Sequence, residues 1–365
     1  MDDYARLWTV PDIDPKWSMR WYWWFWVVFL DDPAETARPR QLMVLWTYKE
    51  AATLFNDMLV LPEDGIKNGS GRESFPGVVA AWYFDGERMD PELAFERGTL
   101  TAEHNADDPC NGRLSFESAV GNECAFSGQP RDWRLRLRNE KVDVDVSLRL
   151  DEPASFTRPS HIRNRIVAKR FMYSALELNR CTAAGTIDGE QVKGTAYFQR
   201  IGLNSPMGPW YWGVFHFADG SVLKYFFPHV STSAFRHDPA ERLPWHERWL
   251  LPARRQAEFY HAPTDTTHTF SRGTVEKELD ADGLPTWRLR VHDDTTHLDA
   301  TLDSYARVVW RFRPHRPRLP LNDMYYNEYP TQITAFTLDG PDGRLTLDDL
   351  GPGVGNTEHT WGGLV

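Results

Sequence analysis

The sequence predicts an all-β protein built from two antiparallel β-barrel or sandwich domains, and three observations predict it. Seven Asp-Gly pairs punctuate the chain, at 64–65, 85–86, 188–189, 219–220, 282–283, 339–340 and 342–343. Asp-Gly suits the two-residue type I′ turn, whose twist matches paired antiparallel strands. Several pairs follow β-branched or aromatic runs, as Val78–Phe84 precedes Asp85, whereas long helical patterns are scarce. An aromatic opening also occurs twice: Trp21-Tyr22-Trp23 starts one apolar run, and Trp210-Tyr211-Trp212 starts another 189 residues later. Each is followed by a second apolar run, Gln41–Tyr48 and Val222–Phe227, a pattern that reads as a duplicated sheet. A three-residue match can also arise by chance.

A chain of 365 residues exceeds a typical single domain and fits two. The second opening places the boundary near residue 206, giving an N-terminal β domain over 1–205 and a C-terminal one over 206–365. Short helices are expected at Lys49–Met58 and at Pro239–Phe259, the latter broken at Pro244 and Pro252. In the first apolar run Trp21, Trp23, Phe25, Val27 and Phe29 point one way, and Tyr22, Trp24, Trp26, Val28 and Leu30 the other. Both faces are apolar, so neither meets water freely, in a barrel or in an ordinary sandwich.

Composition narrows the function. Hydrophobic residues make up 41% and charged residues 25%, which is ordinary for a globular chain. The deviation lies in the rings, 16 Trp, 20 Phe and 13 Tyr, which suit cores and the walls of a ligand cavity alike. A formal charge of −11 repels a phosphate backbone and argues against nucleic acid. The arginines between Arg131 and Arg138 alternate with Trp133, Leu135 and Leu137, as on a strand with one solvated face. Cys110, Cys124 and Cys181 have no metal-ligand spacing; Cys110 and Cys124 could bridge, but free thiols in a reducing cytosol fit three cysteines better. The acidic start, Met1 to Lys16, is no signal peptide, and Trp21–Leu30 falls short of the ~20 residues of a membrane helix. The expected setting is cytoplasmic, with no transmembrane segment. No Gly-x-Ser-x-Gly elbow, P-loop or His-Glu-x-x-His occurs. Gly351–Gly355 reads as a loop, and His292, Asp293, Asp294 and His297 as a solvated turn rather than a metal set.

Two hairpins carry the candidate site. A two-residue turn at Asp188-Gly189 would pair Arg180 with Tyr197 and Glu177 with Arg200. The same turn type at Asp219-Gly220 would put Trp212, Val214 and His216 on one face with Leu223, Tyr225 and Phe227. A histidine and a tyrosine on an aromatic face are either a core pair or the polar handles of an apolar pocket.

These residues resemble a family. Gly194-Thr195-Ala196-Tyr197, then Trp210-Tyr211-Trp212-Gly213 and Asp219-Gly220, look like the signature of carotenoid 1,2-hydratase (hydroxyneurosporene synthase) and AttH-like proteins. Tyr173-Ser174, the opening at Trp21, Tyr326-Asn327-Glu328 and Gly355-Asn356-Thr357-Glu358-His359-Thr360 extend the resemblance over most of the chain in order. Each motif is weak alone and the ordered set moderately specific. The resemblance implies two lipocalin-like domains and a cavity for a long unsaturated molecule, isoprenoid or polyketide-like. Its relatives hydrate isoprenoid double bonds or steer polyene cyclisations, including Diels–Alder-type closures, without metal or organic cofactor.

The chain departs from the family where an acidic residue usually follows the Gly-x-Ala-aromatic motif: here stands Gln199, then Arg200. Alkene hydration needs a strong proton donor, best a carboxylic acid kept neutral by burial, and glutamine cannot serve. The reading is therefore a cofactor-independent enzyme on a large apolar polyene, with cyclisation or isomerisation favoured over hydration. A non-catalytic carrier or chaperone of a lipid-like ligand is the alternative. Expected catalytic residues are His216 and Tyr225, with Glu177 and Glu328 as reserve acids. Trp23, Tyr197, Gln199, Trp212 and Phe227 are expected to line the site, and no metal ligand is assigned. Oligomeric state stays open.

Overall fold

A computed structural model describes residues 3–364 except 12, 14–18, 32–37, 63–65, 70, 151–155, 157–159, 167–170, 232–248, 253–255 and 316–322. The protein is all-β, with 71% of residues in strands and 4% in helices. It divides into two compact units, Met1–Pro206 with Pro314–Arg316, and Met207–Arg313 with Pro317–Val365.

The first unit is a closed antiparallel barrel of ten principal strands. In chain order these are β1 (Arg20–Leu30), β2 (Arg40–Lys49), β3 (Arg72–Phe84), β4 (Met89–His104), β5 (Gly112–Glu117), β6 (Glu123–Gln129), β7 (Asp132–Arg138), β8 (Asp143–Arg149), β9 (Phe171–Ile187) and β10 (Glu190–Asn204). Each pairs with the next, and β10 closes on β1. Closure leaves no principal strand with an unpaired edge. The second unit repeats the plan with β11 (Trp210–Phe217), β12 (Val222–Ser231), β13 (Gln256–His261), β14 (Thr266–Phe270), β15 (Arg272–Leu279), β16 (Pro285–His292), β17 (His297–Ser304), β18 (Met324–Gly340) and β19 (Gly353–Trp361). Its last strand, β19, again lies beside its first, β11, and the order is open between β14 and β15. Two meanders that return to their own first strands have the connectivity of a duplicated sheet.

The interiors are filled rather than hollow along much of their length. Tyr22, Trp24, Trp26, Val28 and Leu30 of β1 join Trp46, Phe126 and Phe198 in the first core. Tyr211, Phe215 and Phe217 of β11 join Tyr225, Phe259 and Trp287 in the second. Trp21, Phe25, Val27 and Phe29, on the other face of β1, are buried too.

Glycine matters where two strands close tightly. A Cβ on Gly194, the first residue of the Gly-Thr-Ala-Tyr motif, would stand 1.9 Å from the Phe29 carbonyl oxygen. That oxygen belongs to the backbone and cannot swing aside. Gly194→Ala is expected to destabilise the first unit by at least about 1–3 kcal/mol, the usual cost of overpacking. Denaturant unfolding checks this, and an unchanged midpoint would refute the close approach.

Turn chemistry differs from the sequence expectation at several points. Among the described Asp-Gly pairs only Asp188-Gly189 has both residues at positive φ, 51° and 82°, as type I′ requires. Residues 49–58 form no helix: Thr53–Phe55 and Met58–Val60 pair as a hairpin around Asn56-Asp57, both at positive φ. Asn and Asp tolerate that conformation, so the local turn wins over the helical pattern. Gln256–His261 is strand β13 where a helix is expected, and the Pro239–Phe259 segment otherwise lies partly outside the described residues, as does Asp64-Gly65. No helix among the described residues is long and apolar enough to cross a membrane.

Candidate active site

Register decides which predicted residues can meet. At Asp219-Gly220 the turn is one residue longer than expected: the Phe217 N–H donates to Ser221 O at 3.0 Å, and Gly220 alone takes a positive φ, 98°. His216 therefore faces Val222, Trp212 faces Phe226, and Gly213 faces Tyr225. A shift of one residue exchanges the faces of a strand. The expectation that Trp212 and His216 share a face with Tyr225 and Phe227 is thus corrected. Tyr225 and Phe227 lie in the interior core, and Trp212 and His216 on the opposite face. Tyr225 is fully buried over Gly213, its hydroxyl 3.5 Å from Thr357 Oγ1, and burial raises its pKa.

The Asp188-Gly189 hairpin begins in the expected register, Ile187 against Glu190, but a bulge between Leu178 and Cys181 shifts it by one. Glu177 consequently faces Gln199 and accepts a hydrogen bond from Gln199 Nε2 at 3.0 Å. The expected pairing of Glu177 with Arg200 is corrected, and Arg200 points into the barrel. Tyr197 shares the face of Gln199 and sits 6.0 Å from the Phe25 ring. Trp23 is half-buried, edge-on to Trp21 at 5.4 Å.

The corresponding place in the second unit holds two acids. Glu328 of β18 lies directly across from Glu358 of β19, as Glu177 of β9 does from Gln199 of β10. In both units these are the two closing strands, and the last one pairs with the first: Phe25 faces Gln199 and Trp212 faces Glu358. Opposed residues of an antiparallel pair stand about 4.5–5.5 Å apart, so the two side chains share one small space. Glu328 is 0% exposed and Glu358 5%, which is rare for carboxyl groups and calls for a compensating network.

The network is asymmetric. Glu358 Oε1 accepts from the Tyr326 hydroxyl at 2.6 Å, and Oε2 from the Trp210 indole N–H at 2.9 Å. Glu328 Oε2 accepts from Asn356 Nδ2, while Glu328 Oε1 is buried and receives no donor. Trp310 stacks on Tyr326 at 6.0 Å, and Trp210 tilts against it at 5.9 Å. Burial, opposed by the donors from Tyr326 and Trp210, raises the Glu358 pKa to about 7. Burial and then the Glu358 charge drive Glu328 well above the carboxylate range. Glu358 accepts from two donors and Glu328 from one, and Glu328 is raised the further, so Glu328 is the neutral acid of the pair and Glu358 its better hydrogen-bonded partner.

Sequence reasoning ranks Glu328 in reserve and does not select Glu358, Tyr326 or Trp210. The signal is present in the chain: two acids, Glu328 among Tyr325, Tyr326 and Tyr329 and Glu358 between Thr357 and His359, each within a motif that carries the family resemblance. His216 lies four residues along β11 from Trp212, roughly 13 Å from the acid pair at ~3.3 Å per residue. On the interior face Tyr211 is sandwiched between buried His229 and His359, at 5.1 and 4.6 Å. The described residues contain no group of three or more His, Cys, Asp or Glu able to hold a metal ion.

No protein-family model matches the chain, and no curated protein matches it. Among solved structures, an AttH-like protein from Nitrosomonas europaea aligns over 94% of this chain and 93% of its own, at 13% identity and a TM-score of 0.46. Kievitone hydratase from Nectria haematococca aligns over 93% and 88%, at 12% identity and a TM-score of 0.38.

Proposed function

We propose that this protein is a cofactor-independent enzyme that protonates a carbon–carbon double bond of a large apolar substrate, with Glu328 as the acid. The observation that carries this is the buried Glu328–Glu358 pair, one oxygen of which has no donor, among Trp210, Trp212, Tyr326 and Trp310. The Glu328 O–H bond breaks as a C–H bond forms, and the π bond supplies the electrons. The resulting carbocation is favoured by aromatic faces, each worth about 0.5–2 kcal/mol. Attack by a second double bond closes a ring, and loss of a proton to the Glu328 carboxylate restores the acid. The sum is an isomerisation that consumes no co-reactant.

Gln199 removes the acid only from the first unit, so it does not by itself argue against proton-initiated chemistry. What favours cyclisation or isomerisation over hydration is the set of ring faces around the pair, Trp210, Trp212, Tyr326 and Trp310, which stabilise a carbocation until a second double bond attacks it. Trp212 fits a substrate-facing wall. His216 and Tyr225 have no part in this scheme, and Glu177 with Gln199 forms a hydrogen-bonded counterpart pair in the first unit.

The test is to incubate the protein with an apolar extract of its own host cells in D₂O and follow products by mass spectrometry. Proton-initiated isomerisation adds one mass unit on carbon, and hydration adds a water besides. A ring closed without deuterium uptake would refute the acid role and leave a shape-guided closure. A ligand retained unchanged, with no product, would favour the carrier.

A further inference from the structure

Inside the barrel of the first unit stands a guanidinium whose hydrogen-bonding needs the described residues do not meet. Arg200 is 2% exposed, and its Nε and Nη1 are buried with no hydrogen-bond partner among the described residues. Burying an unpaired charge costs several kcal/mol, so each such group in a folded protein asks for an explanation. A slip of register does not account for it, because Trp24 on β1 and Leu176 on β9 flank Arg200 in continuous ladders.

The surroundings say what would satisfy it. Trp24 stacks on Phe75 at 5.9 Å, Phe75 meets Tyr48 at 5.4 Å, and Tyr48 stacks on Tyr22 at 6.0 Å, so the walls are aromatic. Among the described residues the charges that act on Arg200 are those of Arg6, Glu73 and Asp3, and Glu73 attracts the guanidinium. Arg6 pairs with Asp3 at 3.3 Å, and Glu73 Oε2 accepts the Val10 N–H at 2.5 Å. Burial and the charge of Arg6 lower the Arg200 pKa to about 9, which leaves it cationic at neutral pH. The N-terminal segment covers this end of the barrel: Leu7, Trp8 and Ile13 join the interior core, and Trp24 Nε1 donates to Leu7 O at 3.3 Å. Pro11 sits over Gly202, two residues beyond Arg200 on the same face, where a Cβ would come within 2.5 Å of the proline ring.

We propose that Arg200 anchors a second ligand site, in the first unit's barrel beneath the N-terminal segment, for the carboxylate of an apolar monocarboxylic acid. A guanidinium offers planar donors that match a carboxylate, and aromatic walls suit an apolar body. With Arg6 paired to Asp3, a single guanidinium is left to meet the ligand, and a monocarboxylate brings it one negative charge where a phosphate dianion brings two. The site is independent of the Glu328–Glu358 pair and is tested by binding alone.

The probes are sodium decanoate and 4-bromobenzoate, with decanol and inorganic phosphate as controls. Calorimetry on the full chain is expected to show saturable binding of a carboxylate probe and none of decanol or phosphate. Arg200→Met, which removes an uncompensated charge, is expected to melt higher than the parent and to bind the carboxylates at least tenfold more weakly. If that variant does not fold, Arg200→Lys keeps the charge without the fork and is expected to weaken binding at least tenfold. Crystals soaked in 4-bromobenzoate are expected to place its carboxylate within hydrogen-bond distance of Arg200. No saturable binding by the parent protein, equal binding of decanol, or bromine density away from Arg200 would overturn the proposal.

Discussion

Glu328→Gln is expected to lower turnover by about 10²–10⁴-fold, the usual contribution of a positioned acid, while leaving the fold and melting temperature nearly unchanged. The stability half of that expectation follows from the hydrogen bonds. In the parent, Glu328 Oε2 accepts from Asn356 Nδ2 and Oε1 has no donor. Glutamine keeps the shape and the one hydrogen bond, its carbonyl accepting from Asn356 and its amide taking the place of the oxygen that has no partner in the parent. What it cannot do is release a proton to carbon. Glu358→Gln behaves differently. Glu358 accepts from Tyr326 and Trp210 through its two oxygens, and an amide nitrogen can replace only one of them. The tyrosine hydroxyl can turn to accept, the indole N–H cannot, and the charge-assisted character of both bonds is lost. A cost of about 1–3 kcal/mol is expected. Calorimetric melting and turnover measured on both variants separate the cases. Full activity in a folded Glu328→Gln variant would remove Glu328 from the mechanism.

The all-β fold is legible in the sequence because its cues are local: Asp-Gly pairs, aromatic and β-branched runs, and an opening triplet that recurs. Burial of both faces of Trp21–Leu30 is legible for the same reason. Register is not, because it turns on single residues. Asp219-Gly220 reads as a two-residue turn, yet Ala218 joins the loop and moves Tyr225 to the opposite face from His216. The bulge after Leu178 likewise separates Glu177 from Arg200. Neither shift leaves a strong mark in composition. The acid pair is half legible: Glu328 stands out as an acid among Tyr325, Tyr326 and Tyr329, but its partner lies 30 positions away. Only the pairing of the closing strands brings Glu358 opposite it. Gln199 is legible as a missing acid, and its meaning changes once the same place in the second unit proves to hold one.

Activity is expected to fall as pH rises above about 7, and stability to fall over the range below it. A proton can leave the doubly protonated pair at the cost of one shared negative charge. Once Glu358 has ionised, at about pH 7, a further loss from Glu328 would put two charges in a buried space, as in other carboxylate dyads. The limb therefore belongs to the pair, and Glu358→Gln is expected to shift it upward or abolish it. For stability, the folded-state pKa of Glu358 is raised from 4.5 to about 7, so the folded protein holds this proton more tightly than the unfolded chain does. Its contribution is fully present below about pH 4.5 and is lost as pH rises towards 7. Raised Glu73 works in the same direction, and His268, lowered mainly by burial, works in the opposite one. Subtracting the pH profile of Glu358→Gln from that of the parent removes both contributions and leaves that of the Glu328–Glu358 pair. The difference should decline from pH 5 to pH 7 in denaturant unfolding. A flat difference would mean that Glu358 is ionised throughout, and with it the reason for an activity limb near neutrality would be gone.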